Sequence, residues 1–532
     1  MVLIQNIQSR LGLLTIAIAA IFCSTEAIAA ERIIFNISPW GQFQIKVRDL
    51  ETFATTGAIS PELNYYLRRF PPEQLAELPQ LLTTPLKLNP LAIAKFSNST
   101  VGEVAIANLG KGIRGRTPGN GFYALRSAII GAAFDEEGLS PLNLITHYPL
   151  ETVHLDLRIL AQYLRQVSRL AQNRQIIDQF WFAEEDQNQL PSADSLPQLD
   201  PRLEGKYTWT KRTLSYQNLH RAQPGLFDLY QPNLELPAPL IAISHGMASN
   251  RQTFAYLAQH FASHGFAVVV IEHDEISLAN FDRFLAGRTA FPEANNLIDH
   301  PLDVSYALNR LESEAKINLQ QVGLIGQSFG GYSALALSGA KPIFEQAAKE
   351  CQLESYADIL RDLSSLARCS FNQLDRPQVE LRDERIKAVV AINPMARIFG
   401  SVGMSSVATP TMLISGTNDL IMPPFVEQIE PFSWLNDDLE KYLILLKPGT
   451  HFSFLQEGLG VLPVPDTAVG PRPIYAYPVL KALSTAFFQV HLAQKLEYQS
   501  YLATDLSQKL NNHAFELAII RTLAGIELEQ FE

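Results

Sequence analysis

Three residues of the right types for acyl transfer follow one another along this chain, each just beyond a short apolar run. Ser328 lies in Gly326-Gln327-Ser328-Phe329-Gly330-Gly331, directly after Val322-Gly323-Leu324-Ile325 and before the helix-like Tyr332-Ser333-Ala334-Leu335-Ala336-Leu337. A serine between strand and helix stands on a turn so tight that small residues are needed two before and two after it, and Gly326 and Gly330 supply them. Asp419 closes Thr411-Met412-Leu413-Ile414-Ser415-Gly416-Thr417-Asn418-Asp419, again at the end of an apolar strand. His451 sits in the loop Lys447-Pro448-Gly449-Thr450-His451-Phe452 after the strand Lys441 to Leu446. A serine hydroxyl is a poor nucleophile until an imidazole accepts its proton, and the imidazole needs a carboxylate to fix its tautomer and stabilise its charged form. Asp419 also has the surroundings of a loop-capping residue, since Thr417-Asn418-Asp419 is turn chemistry. His491 and His513 compete with His451, but both are expected within helical patterns and neither follows a strand.

The elements that must carry these side chains extend upstream. Pro239 to Ser244 reads as a strand running into His245-Gly246-Met247, and Phe266 to Ile271 as the next strand, ending in Glu272-His273-Asp274. The order serine, aspartate, histidine is that of α/β-hydrolases. In that fold the loop after the upstream strand gives one oxyanion N–H and the residue after the nucleophile gives the other, which assigns those donors to the backbone of Met247 and Phe329. Gly331, His245 and Gly246 then support the elbow and the loop, and His245 and His273 read as loop-shaping hydrogen-bonders because one base suffices. Strand ends that all carry polar residues are what an open, mostly parallel sheet offers at its ligand edge. No helix-spaced pair such as H-E-x-x-H accompanies His245, His273 and Asp274, so neither a metal site nor a cofactor is expected.

The segments Ser244-His245-Gly246, Ile271-Glu272-His273, Gly326-Gln327-Ser328-Phe329-Gly330-Gly331 and the Asp419/His451 pair resemble the plasma-type platelet-activating factor acetylhydrolases and their bacterial esterase relatives, over roughly residues 205–490. Gln327 departs from the resemblance, which more often has histidine there. The acid departs too. The plasma-type enzymes carry it nearer the strand that here ends in Ile392-Asn393-Pro394, where this chain has no carboxylate. The N-terminal half looks like the extra domain joined to many cyanobacterial secreted α/β-hydrolases of unassigned substrate. The resemblance implies a serine ester hydrolase acting on short-acyl or phospholipid-type esters, hence a small-molecule or lipid ester as its partner, and leaves peripheral membrane contact open. Two other readings stay open: a peptidase of the same fold, and a catalytically silent binding protein built on it.

Composition sets the bounds. The chain has 532 residues, enough for two domains, and a net charge of −12 that argues against nucleic-acid binding. Met1 to Ala29 reads as a cleavable export signal: Arg10, then the apolar core Leu11 to Phe22, then Ala27-Ile28-Ala29. A secreted or periplasmic protein follows, with a retained N-terminal anchor as the alternative. Cys351 and Cys369 remain after the signal and could pair in an exported protein. Residues 30–182 are expected to form a mainly helical N-terminal domain, opened by strands at Ile33 to Phe35 and Phe43 to Val47 around Pro39-Trp40-Gly41. From Leu50 to about Leu170 it should be broken into short helices by Pro61, Pro71-Pro72, Pro79, Pro85 and Pro90. Leu157 to Phe182 reads as an amphipathic helix, 183–205 as a linker and 206–532 as the catalytic domain. Within the last, 341–385 has the length and helical composition of a cap that the two cysteines would staple. The expected architecture is thus α/β, an α/β-hydrolase fold with a helical cap, preceded by a smaller helical domain.

Overall fold

The computed structural model describes residues 29–37, 39, 41–86, 88–116, 119–162, 200–344, 364, 368, 379–457, 469–503 and 510–523. Nearly all of the expected export signal, Trp40, most of the Leu157–Phe182 helix, the linker up to 199, Cys351, Cys369 and most of the expected cap lie outside them. The chain divides into two compact units, residues 1–98 with 105–161, and residues 99–104 with 162–532.

The first unit holds a four-stranded sheet in the order β2-β1-β4-β3. Its strands are β1 (Arg32–Ile37), β2 (Gly41–Lys46), β3 (Ile113–Arg114) and β4 (Thr152–Leu155). β2 stops one residue short of the expected strand, because Val47 opens the helix Val47–Thr56 and buries itself in the core. Three of the prolines expected as breakers instead begin helices. Pro61, Pro72 and Pro90 occupy the first helical position, where the missing N–H costs nothing, and Ser60 and Asn89 cap two of these helices. Pro79 does not break its segment. It lies inside the helix Pro72–Thr83, which buries none of its residues, so solvent can satisfy the carbonyl that the proline leaves without a donor.

The second unit is built on a nine-stranded sheet in the order β13-β12-β11-β10-β9-β7-β8-β6-β5. The strands are β5 (Trp209–Tyr216), β6 (Gly225–Pro232), β7 (Ala238–Ser244), β8 (Ala267–Ile271), β9 (Ile317–Gln327), β10 (Ile386–Ile392), β11 (Thr411–Gly416), β12 (Lys441–Lys447) and β13 (Glu516–Ile520). From β12 through β8 the neighbours run parallel, while β6, β5 and β13 are antiparallel additions at the two edges. This is the α/β-hydrolase fold expected.

The central strands are near-continuous Val/Ile/Leu runs because both faces are covered. Alternate residues serve opposite layers. Ile241, Ile243, Ile325, Val390, Ile392, Ile414 and Ile444 pack with the helices Ala255–Ser263 and Tyr477–His491. Leu240, Ala242, Leu324 and Val389, continued by Leu413, Leu443 and Leu445, pack on the other side with Asn296–Arg310 and Phe329–Leu337. The chain proceeds from β7 to β8 on one side, then returns to β9 on the other side of β7 and continues outward to β12. The crevice outside the carboxyl ends of β7 and β9 is therefore the topological switch point, where open sheets bind their ligands.

Leu443 is fully buried in the middle of β12. Leu443→Ala should lower the free energy of unfolding by about 3 kcal/mol through lost transfer energy and a residual cavity, measured by urea denaturation of the folded variant against the parent protein.

Candidate active site

β9 delivers Ser328 to the switch point. The residue has φ 57° and ψ −116° and sits as the N-terminal cap of Phe329–Leu337. Positive φ is strained for serine, and its surroundings enforce it. A Cβ on Gly326 would lie 2.1 Å from the Gly330 carbonyl oxygen, and one on Gly330 would lie 2.0 Å from the Ser244 carbonyl oxygen. Only glycine fits at either position, as the spacing required. The Ser328 amide donates to the Ile392 carbonyl at 2.8 Å, which ties the elbow to β10 as well.

Asp419 and His451 meet beyond the adjacent ends of β11 and β12. Nδ1 of His451 lies 2.7 Å from Oδ2 of Asp419, and both side chains are buried. The other carboxylate oxygen accepts from the Ile421 and Met422 amides, each at 2.8 Å. The turn chemistry noted around Asp419 is therefore real and coexists with the histidine contact, one oxygen for each. Nε2 of His451 has no hydrogen-bond partner among the described residues, the Ser328 hydroxyl included, and is left as the available acceptor. Such contacts commonly tighten only when substrate is bound. The competing histidines are elsewhere: His491 ends a helix, while His513 stands in the loop before β13, not in a helix, with its ring against Tyr475.

Two amide side chains join the serine to the acid–base pair. Nε2 of Gln327 donates to the His451 carbonyl at 3.2 Å. Asn393, at the end of β10 with φ 43°, accepts from the Gly416 amide at 2.9 Å and donates to the Thr450 carbonyl at 3.2 Å. The strand end that lacked a carboxylate thus holds a neutral bracket between the Asp419 and His451 loops.

On the other side of the elbow, Met247 follows β7. Its amide and that of Phe329 have no hydrogen-bond partner among the described residues, whereas the next amide, Ala248, donates to the Ile276 carbonyl at 2.8 Å. Beneath this loop lies a fully buried group of three histidines. His273 and His300 stack with ring centroids 3.4 Å apart, and His245 stands 5.0 Å from His273. Asp303 accepts from His273 at 3.0 Å and from Asn218 at 2.7 Å, and pairs with Arg221 at 2.8 Å. His245 and His273 both hydrogen-bond to neighbouring groups here, His245 to the Gly246 carbonyl at 2.8 Å. His300 and Asp303 escaped the sequence reading, although the His300-x-x-Asp303 spacing on one helix face was a usable signal.

A buried ion pair involves the segment expected as a cap: Arg368 and Ser364 both donate to Glu427, which also accepts the Arg397 amide at 3.0 Å. Glu427 is fully buried in the turn Phe425–Ile429, a few residues beyond Asp419.

Two family matches accord with this architecture. Residues 227–296 match the family described as platelet-activating factor acetylhydrolase, isoform II. That segment runs from β6 through β8 and includes His245, Gly246 and Met247, but ends before Ser328. Residues 29–156 match the family described as alpha/beta hydrolase of unknown function. They form the small sheet and its helices, not the nine-stranded sheet. No curated protein shows significant similarity to the chain. Fold and matches together define a hydrolase of the α/β-hydrolase class, one that resembles the platelet-activating factor acetylhydrolases.

Burial holds His245, His273 and His300 below the ordinary histidine range and pushes His260 down to about 2. With folded pKa values depressed, these side chains are neutral in the native protein. Below about pH 6.5 the unfolded chain takes up protons that the folded one refuses, so stability is full above that pH and falls as pH falls. Each such histidine adds up to about 1.4 kcal/mol per pH unit. Urea midpoints should therefore drop between about pH 7.5 and 5.5, and a flat profile would show that these histidines are not held neutral.

Proposed function

We propose that the protein is a serine carboxylic-ester hydrolase. The reading rests above all on the 2.7 Å contact between His451 and Asp419 beside a serine held at positive φ. Ser328 Oγ attacks the ester carbonyl while His451 Nε2 takes its proton. Asp419 keeps the imidazole in the Nδ1–H tautomer and stabilises the imidazolium. The oxyanion accepts from the Met247 and Phe329 amides, the second aided by the positive end of the helix Phe329–Leu337. His451 passes the proton to the leaving alcohol and an acyl-enzyme remains. Water, deprotonated by the same imidazole, attacks it, and the acid leaves as Ser328 regains its proton. No step calls for a cofactor.

The match to platelet-activating factor acetylhydrolase over residues 227–296 supports short-acyl or phospholipid-type esters as the substrate class. The stretch Met1 to Ala29 supports export to the periplasm or beyond.

A fluorophosphonate should label the protein stoichiometrically at Ser328, and 4-nitrophenyl acetate should be hydrolysed. Ser328→Ala should abolish labelling and reduce turnover by on the order of 10⁶. A cleanly folded variant that keeps a tenth of the activity would exclude the serine mechanism. A panel of esters of rising acyl length, with a glycerophospholipid bearing a short acyl chain, tests the substrate class.

Asp419→Asn preserves the shape and the acceptor facing Ile421 and Met422 while removing the charge. Turnover should fall by about 10⁴ as tautomer control is lost, with labelling by the fluorophosphonate correspondingly slow. Near-normal turnover would send the search for the acid elsewhere.

A further inference from the structure

The buried histidines beneath the Met247 loop form a chain of hydrogen bonds whose donors and acceptors can be assigned one by one. Nδ1 of His245 lies 2.8 Å from the Gly246 carbonyl oxygen, which can only accept, so Nδ1 carries the proton. Nε2 of His245 accepts from the His273 amide at 3.1 Å, which requires that nitrogen to be bare. Both contacts thus demand the same neutral tautomer. His273 in turn has Nδ1 on Asp303 at 3.0 Å and Nε2 on the Ser244 hydroxyl at 3.0 Å. His300 accepts from the Ser333 hydroxyl at 2.7 Å and donates from Nε2 to the His245 carbonyl at 3.1 Å.

Ser244, His273 and Asp303 repeat the connectivity of a catalytic triad. They are no second active site. Ser244 is wholly buried, and its carbonyl abuts Gly330. The chain ends not on a substrate but on the Gly246 carbonyl. That carbonyl and the Met247 N–H belong to one planar trans peptide and point in opposite directions. Whatever fixes the carbonyl fixes the aim of the N–H. The loop has little other means of holding it, since Gly246 carries no side chain. Its backbone packs directly on the elbow, where an added Cβ would come within 3.0 Å of Ser328 Cβ.

We infer that His245 is a positioning residue for the oxyanion site: its Nδ1–H clamps the Gly246 carbonyl and thereby aims the Met247 N–H at the ester carbonyl oxygen, where negative charge develops. His273 selects the tautomer that makes the clamp, and His300 holds the backbone of His245 itself. The inference rests on the ester-hydrolase reading above and deepens it. Without the clamp no hydrogen bond among the described residues holds the Gly246 carbonyl, and a flipped peptide would present a carbonyl oxygen to the oxyanion in place of a donor.

The test compares His245→Leu, which removes the donor, with His245→Asn, whose amide nitrogen stands near the position of Nδ1. Each is assayed on 4-nitrophenyl acetate and on its thiono analogue, in which sulfur replaces the carbonyl oxygen. Sulfur is a weak hydrogen-bond acceptor, so the ratio of the two rates reads the oxyanion donors themselves. His245→Leu should lower kcat for the oxygen ester by about 100-fold with little change in KM, and the ester-to-thionoester ratio should collapse with it. His245→Asn should recover at least a tenth of the parent rate and most of the ratio. Equal slowing of both substrates at an unchanged ratio, or equal loss in the two variants, would overturn the inference. If neither variant folds, nitrogen-15 spectra of the parent protein decide it: His245 protonated on Nδ1 at about pH 7 is expected, and protonation on Nε2 overturns the clamp. A parent protein that neither hydrolyses the ester nor takes the fluorophosphonate at Ser328 defeats the esterase reading. Labelled parent protein with unaffected His245 variants defeats this inference alone.

Discussion

The approach of Gly330 to the carbonyl of Ser244 is the constraint from which the rest of the site follows. It brings the start of the elbow helix against the end of β7, so that the loop leaving β7 and the turn leaving β9 share one small volume. Backbone strain of the kind seen at Ser328 costs about 1–3 kcal/mol and persists only where its surroundings over-determine it. Here the glycine contacts on one side and the hydrogen bond to Ile392 on the other do so. A larger residue at Gly330 would part β7 from the helix, and one at Gly326 would push the start of the helix off its own strand; either way the serine would lose its conformation.

The site has two halves on different strands. Ser328 and the Met247 loop belong to β9 and β7, which are neighbours, while Asp419 and His451 belong to β11 and β12, also neighbours. β10 runs between the halves. Within each half, strand pairing sets the geometry: Gly416 pairs with Leu446, so the loops that follow start side by side. β10 pairs with both β9 and β11 and so spans the halves, and two side chains, Gln327 and Asn393, add contacts to the acid–base loops. The first is buried against the carbonyl of His451, and the second holds both loops of the acid–base pair.

Much of this was legible because it is local. Val/Ile-rich runs ending in polar residues give strands with a chemical edge, and Gly326-Gln327-Ser328-Phe329-Gly330 gives the turn. Asp419 and His451 were legible by order and by the strands before them. What stayed hidden depends on partners far apart in sequence. β4 pairs with β1 across more than a hundred intervening residues, and its four residues are too few to announce a strand by themselves. β13 is five residues long and becomes a strand because β12 offers an unpaired edge. The roles of Ser244, His273, His300 and Asp303 arise from three separate segments meeting under one loop, and the His300-x-x-Asp303 spacing announces only the share of one of them. Pro79 shows the converse: local propensity argued for a break, and an exposed helix tolerated the proline.

Asn393 bears on where the acid can stand. Its amide nitrogen donates to the Thr450 carbonyl and its oxygen accepts from the Gly416 amide. An ionised carboxylate could perform only the second task and would set a negative charge against the first. The end of β10 is thereby reserved for a neutral group that both gives and takes a hydrogen bond, and the charge that the histidine requires has its seat on β11. A carboxylate moved to the end of β10 would give up the bond to the Thr450 carbonyl, and with it one of the two contacts by which Asn393 holds the Asp419 and His451 loops side by side.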